Sequence, residues 1–190
     1  YPSLEAQIAA ISDDIAYNNH DIQDGIKANL FKLEELVEID FFRNIYNKYK
    51  KKINKRNYKI AIHQIIRDSI DLMIKDLISN TKNNLTKLNI KNYKNLRFSK
   101  KLIVDFSENI KSSENEIRSF LRTKMYNNKE VLKKNNEGKK IINRLFNMII
   151  RKPSNFIEKQ DLKHNKYRTV SDFISGMTDR YAINLYNSNK

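Results

Sequence analysis

The sequence predicts an all-α fold. Its 190 residues hold only three glycines and two prolines, so few positions interrupt a helix. Apolar residues recur at three- and four-residue spacing over several long stretches, and no pair of alternating stretches reads as a strand pair. No internal repeat or long linker breaks the chain, so residues 1–190 read as a single helical unit, a multi-helix bundle.

Ser3, after Pro2 and before Glu5, offers a side-chain cap and a first-turn anion to a helix over residues 3–24. At about 100° per residue, Asp13, Tyr17, His20, Asp21 and Asp24 share a wedge of about 100°. Leu4, Ile8, Ile11, Ile15 and Ile22 take the other side. Ordinary surface helices set an apolar stripe against mixed long-chained polar residues. This polar face is short and acidic, and Ala6, Ala9 and Ala10 leave room beside it, so it reads as either a pocket wall or a solvated acidic face.

Gly25 predicts a bend before a second apolar pattern, from Leu30, Phe31 and Leu33 to about Tyr49. Ile62, Ile65, Ile66, Ser69, Ile70, Met73, Ile74, Leu77 and Ile78 mark a core helix that starts at Tyr58. Residues 81–98 are polar, rich in Asn and Lys, and read as a connecting segment. Ser113-x-x-Glu116 is a capping-box pattern that would open a helix through Ile117, Phe120 and Leu121 to Tyr126. The next helix runs from Lys129 to Arg151 and stops at Pro153. Thr169 with Asp172 would cap a last helix through Val170, Phe173, Met177, Tyr181 and Leu185, with Gly176 inside it.

The net charge is +15, from 37 Lys+Arg against 22 Asp+Glu, which favours polyanionic partners without naming one. Heavy use of Ile, Lys and Asn fits a gene rich in A and T, so part of the basicity reflects codon usage. Cysteine is absent, which excludes disulfides, thiolate nucleophiles and zinc–thiolate sites. No apolar run reaches membrane-spanning length and no signal peptide is visible, so a cytoplasmic protein with no membrane partner is expected. The chain opens at Tyr1 without an initiator Met, which suggests a fragment. Glycine-rich phosphate loops, Gly-x-Ser-x-Gly elbows and His-Glu-x-x-His pairs are all missing. His20, His63 and His164 lie in three separate segments and do not make a metal site by themselves.

The string from Pro2 to Gly25, Pro-Ser-Leu-Glu-Ala-Gln-Ile-Ala-Ala-Ile-Ser-Asp-Asp-Ile-Ala-Tyr-Asn-Asn-His-Asp-Ile-Gln-Asp-Gly, closely resembles a signature of the deoxyguanosinetriphosphate triphosphohydrolase-like proteins of the HD superfamily. Tyr167-Arg-Thr-Val-Ser-Asp-Phe-Ile-Ser-Gly-Met-Thr-Asp-Arg-Tyr-Ala182 is similar to that family's C-terminal signature. Phe120-Leu-x-x-x-Met-Tyr126 resembles a weaker motif between them. The three matches keep the family's order and together span nearly the whole chain.

The resemblance implies the C-terminal part of an HD-superfamily-like helical bundle. It also implies hydrolysis of a deoxynucleoside triphosphate to deoxynucleoside and tripolyphosphate, with a divalent metal ion such as Mg or Mn as cofactor. On this basis Asp13 would be the fourth metal ligand, a hard carboxylate donor. Tyr17 would lie against the deoxyribose and disfavour a 2′-hydroxyl, and Asp21 would accept a hydrogen bond from the 3′-hydroxyl. Asp14 either supports the metal shell by a hydrogen bond or faces solvent. His20-Asp21 has the letters of the superfamily's metal doublet, but His20 reads better as a pocket-lining or hydrogen-bonding residue. Arg180 could contact phosphate or a neighbouring subunit, although a pairing of Asp179 with Arg180 or with its own helix is the favoured reading.

The family's own His and His-Asp doublet precede the Pro2–Gln7 string and are not in this sequence, so the isolated chain is expected to be inactive. Two other readings stand beside this one. The first is a basic helical module that binds single-stranded nucleic acid, with Tyr46, Tyr49 and Tyr58 interleaved among lysines. The second is a purely structural or oligomer-forming remnant without catalysis; a homo-oligomer is expected on the family reading as well.

Overall fold

A computed structural model describes residues 2–90, 92, 96, 101–158 and 165–189, and His164 lies outside them. The fold is all-α, with no strand among the described residues. Tyr1–Asn128 and Lys129–Lys190 are two compact units, each taken by itself.

In the first unit, α1 spans Leu4–Lys27 and Ser3 caps it, its hydroxyl accepting a hydrogen bond from the Ala6 amide. Helix α2 is a single turn, Leu33–Leu36, and α3 spans Asp40–Tyr49 before a 3-10 turn at Lys50–Lys52. Helix α4 spans Tyr58–Lys87. Helix α5, Glu108–Leu121, continues directly into a π-turn, Arg122–Tyr126. The core joins Ile15, Ile22 and Ile26 of α1 to Phe42 and Ile45 of α3, Ile65 and Met73 of α4, and Ile117 and Leu121 of α5. Helix α1 packs on both α4 and α5.

Several elements depart from the sequence reading for identifiable reasons. Gly25 makes no bend: the helix runs through it, and a Cβ there would lie 2.3 Å from Cε1 of Phe31. The second apolar pattern splits into α2 and α3. Residues 81–87 of the expected connecting segment belong to α4, whose polar end is held by tertiary bonds. There the Asn84 side chain donates to the Ile103 carbonyl at 2.9 Å, and the Asn80 side chain donates to the Asp105 and Phe106 carbonyls. Ser113 opens nothing, because α5 starts earlier, at Ser107, whose amide and hydroxyl both donate to Asp76 of α4. The N-cap residue is thus fixed by a residue 31 positions away, which no local pattern reveals. Ile8, placed on the apolar side of α1, is 48% exposed.

The second unit holds α6 (Lys129–Arg151), a 3-10 turn at Pro153–Asn155, α7 (Lys166–Ser175) and α8 (Asp179–Ser188). Its core is built on Leu145, Ile149, Val170, Ile174 and Ala182. The expected last helix is therefore two. Asn165 caps α7 rather than Thr169, whose hydroxyl instead donates to the Asn165 carbonyl. Gly176 ends α7, and Thr178 caps α8.

Gly25→Ala decides how tight the approach to Phe31 is. Helix propensity favours Ala by about 1 kcal/mol, whereas overpacking costs about 1–3 kcal/mol. Phe31 is only 3% exposed and cannot swing into solvent, so the clash should win. Urea unfolding should show a lower midpoint for Gly25→Ala, and an unchanged or higher midpoint would refute the close approach.

Candidate functional site: an acidic helix edge

Helix α1 buries one arc and exposes the other. The exposed arc carries Asp13, Tyr17, His20 and Asp24, and Tyr17 is 58% exposed. The buried arc includes polar residues that fix the helix in place. Gln7 donates to the Pro2 carbonyl and accepts from the Ile103 and Val104 amides at 3.0 and 3.1 Å. Asn19 donates to the Ile15 carbonyl at 2.8 Å and reaches the Met73 sulfur at 3.7 Å.

Asp14 and Asp21 lie between the two arcs and face α5 and its π-turn. A guanidinium nitrogen of Arg118 donates to Asp14 at 2.9 Å, and its Nε donates to Glu114 on the preceding turn. Glu114 is largely buried and also accepts from the Asn18 amide at 3.4 Å. Burial would lower the pKa of Arg118, but Glu114 and Asp14 outweigh it and hold the guanidinium charge. Seven residues after Asp14, Asp21 accepts a hydrogen bond from the Tyr126 hydroxyl.

The two contacts follow the same chain direction, Asp14 to Arg118 and Asp21 to Tyr126, so α1 and the 108–126 segment run parallel here. Seven residues on one side match eight on the other. In an uninterrupted α-helix, eight residues would leave Tyr126 about 80° off the face of Arg118. The π-turn bond from the Asn127 amide to the Arg122 carbonyl, 3.0 Å, marks a wider turn with one extra residue, which takes up most of that offset. Tyr126 is thereby brought back to α1.

Other sequence-singled residues fall as follows. His20 is exposed, and the other described histidine, His63, meets Gln23 at 3.1 Å through Nδ1. Arg180 is the second residue of α8, exposed, and described within the second unit. Asp179 opens that helix, where its charge suits the positive end of the helix dipole. Tyr46, Tyr49 and Tyr58 all pack against the core, and the Tyr49 hydroxyl donates to Asp68 at 2.7 Å. They turn inward while Lys50, Lys51, Lys52, Lys55 and Arg56 stay exposed. Among the described residues, no group of three or more His, Cys, Asp or Glu side chains is placed to hold a metal ion. Asp13 alone is one oxygen donor, and a Mg or Mn site needs several.

Residues 104–188 match the phosphohydrolase-associated domain. A deoxyguanosinetriphosphate triphosphohydrolase-like protein of Pelagibacter ubique is 60% identical over 183 residues, 96% of this chain and 49% of that protein. Those of Leptospira interrogans and Rickettsia prowazekii are 36% and 33% identical, each over 98% of this chain, covering 51% and 50% of their own lengths. The chain is similar to a C-terminal portion of the deoxyguanosinetriphosphate triphosphohydrolase-like proteins. It spans about half the length of the curated relatives it matches. Its all-α multi-helix bundle is consistent with the HD-superfamily-like fold. No described helix is long and apolar enough to cross a membrane.

Sequence reasoning missed Arg118 and Glu114. Arg118 sits two residues before the Phe120–Tyr126 motif, and its role appears only when α5 is docked on α1. Tyr126 was visible as a motif letter, but its contact with Asp21 was not.

Burial first, and then the hydrogen bond to Asp21 and the charge of that carboxylate, raise the pKa of the Tyr126 phenol well above the usual tyrosine range. A phenol raised on folding contributes stability that is complete below its unfolded value, about 10, and is lost as pH climbs through the folded value. An ultraviolet titration of Tyr126→Phe against the unchanged chain should therefore lose a phenolate step lying above about pH 10. Loss of a step in the ordinary range would contradict the Asp21 contact.

Proposed function

We propose that this chain supplies the sugar-facing wall and one metal ligand of a deoxynucleoside triphosphate triphosphohydrolase, which converts its substrate and water to deoxynucleoside and tripolyphosphate. The observation that carries the reading is the order along one edge of α1. Asp13 is exposed, Tyr17 follows one turn on, and Asp21 follows another turn on, with one carboxylate oxygen engaged by Tyr126. Side chains one turn apart are about 5–6 Å apart at their roots, the scale of a deoxyribose ring and its substituents.

On this reading Asp13 is one ligand of a divalent cation, and the remaining donors lie outside these 190 residues. The exposed ring of Tyr17 lies against the sugar, where a 2′-hydroxyl would collide with it. Asp21 has a second oxygen free to accept from the 3′-hydroxyl while Tyr126 holds the first. Arg118 offsets the negative charge of Asp14 and Glu114, which would otherwise repel a triphosphate. Asp14 thus has a structural partner in Arg118, and His20 and Arg180 are supporting residues at most. Residues 1–190 act as one helical part of the domain and turn nothing over alone.

In the complete polypeptide, Asp13→Asn should reduce Mg- or Mn-dependent tripolyphosphate release by more than about 100-fold, measured as inorganic tripolyphosphate formed. Undiminished turnover would sink the ligand assignment. Tyr17→Ala should cut the preference for deoxy over ribo substrates by about tenfold, read as the ratio of kcat/KM values. An unchanged ratio would remove Tyr17 from the sugar site.

A further inference from the structure

The second unit contains a cavity of about 420 Å³ between the C-terminal half of α6 and the end of α8. Arg144, Asn147, Arg151, Lys152, Tyr186 and Asn189 line it. Its size lies within the range of small-molecule sites. Its polar chemistry is one-sided: three cations and two amides beside Leu145, Met148 and the Tyr186 ring, with no carboxylate among the described lining residues.

Helix α6 itself supplies no acid along its C-terminal half. Residues 138–157 contain no Asp or Glu, so neither Arg144 nor Arg151 has an acidic neighbour three or four residues away on its own helix. Across the cavity, the acid of α8 is Asp179, which lines a different cavity with Lys134 and Ala182. It lies seven residues from Tyr186, about 10 Å along the helix. Arg151 and Lys152 close the C-terminal end of α6, where the dipole amounts to about half a negative charge. Against three cations this leaves the cavity strongly positive. Arg144 is pre-positioned rather than free, with its guanidinium over the Tyr186 ring at 5.6 Å from the centroid.

We propose that this cavity is a binding site for a phosphate-bearing small anion. Guanidinium groups match phosphate oxygens in bidentate geometry, and Asn147 and Asn189 add neutral amide donors at the rim. The ligand carries at least two negative charges, which places phosphomonoesters and polyphosphates within the class and monocarboxylates outside it. The site lies wholly in the second unit and uses none of the residues assigned to the α1 edge, so it stands or falls separately from the proposed catalytic reading.

The test is calorimetric titration of the full chain with inorganic tripolyphosphate, in EDTA so that no metal loads the α1 edge, with amide NMR shifts to locate binding. Expected are saturable binding, shifts concentrated at residues 144–152 and 186–189, and affinity that falls as salt rises. Arg151→Gln and Arg144→Gln should each weaken binding by about tenfold, Arg151→Lys by less, and Asp13→Asn not at all. Both arginines are exposed, and unchanged circular dichroism will verify the fold of each variant. A nucleoside triphosphate binding about tenfold tighter than tripolyphosphate assigns the site to a nucleotide, and equal affinity assigns it to the inorganic anion. Unaltered affinity in both glutamine variants, or shifts centred on residues 48–59, would overturn the proposal.

Discussion

The acidic edge of α1 depends on how closely α5 and its π-turn can approach, and a missing side chain sets that approach. Gly25 leaves the space into which the Phe31 ring fits, and Phe31 in turn meets Phe120 of α5 edge-on, with ring centroids 4.8 Å apart and planes at 83°. Such an edge-to-face pair contributes about 0.5–1.5 kcal/mol beyond area burial. Its position matters more than its energy. Phe120 lies between Arg118 and Tyr126, so fixing its ring fixes the stretch of chain that carries both partners of α1.

The polar contacts on that edge are geometric devices more than sources of stability. Asp14 and Arg118 are both half exposed, and such ion pairs contribute only about 0–1 kcal/mol. Glu114 differs, because its side chain is only 11% exposed and its charge needs the Arg118 partner. The result is a wall where alternate acidic groups have different fates. Asp14 and Asp21 are engaged by Arg118 and Tyr126, and Asp13 is exposed.

What the sequence made legible was the helical periodicity and the two-faced character of α1. Ile62, Ile65, Ile66, Met73 and Leu77 of the α4 series are buried as the spacing predicts, whereas Ile74 and Ile78 are exposed, and the ordered signature strings led to the proteins the chain matches. The failures share a cause, which is tertiary contact overriding a local pattern. Ser107 rather than Ser113 starts α5 because Asp76 lies opposite it, and α4 outruns its apolar stripe because Asn80 and Asn84 bind the 103–106 backbone. The π-turn at 122–126 leaves no periodic signal, since one extra residue per turn only shifts the phase of a pattern. Tyr46, Tyr49 and Tyr58 show the converse error, for alternation with lysines looked like a stacking surface but reflects an amphipathic face with its rings inward.

The central claim is that the π-turn delivers Tyr126 to Asp21 and thereby positions the α1 edge. A double-mutant cycle on Asp21→Asn and Tyr126→Phe, read from urea unfolding, tests it most directly. The account predicts a coupling energy of about 1–3 kcal/mol, because either change alone breaks the same charge-assisted hydrogen bond. Additive effects within about 0.3 kcal/mol would contradict it, and would mean that the two side chains do not hold each other in solution.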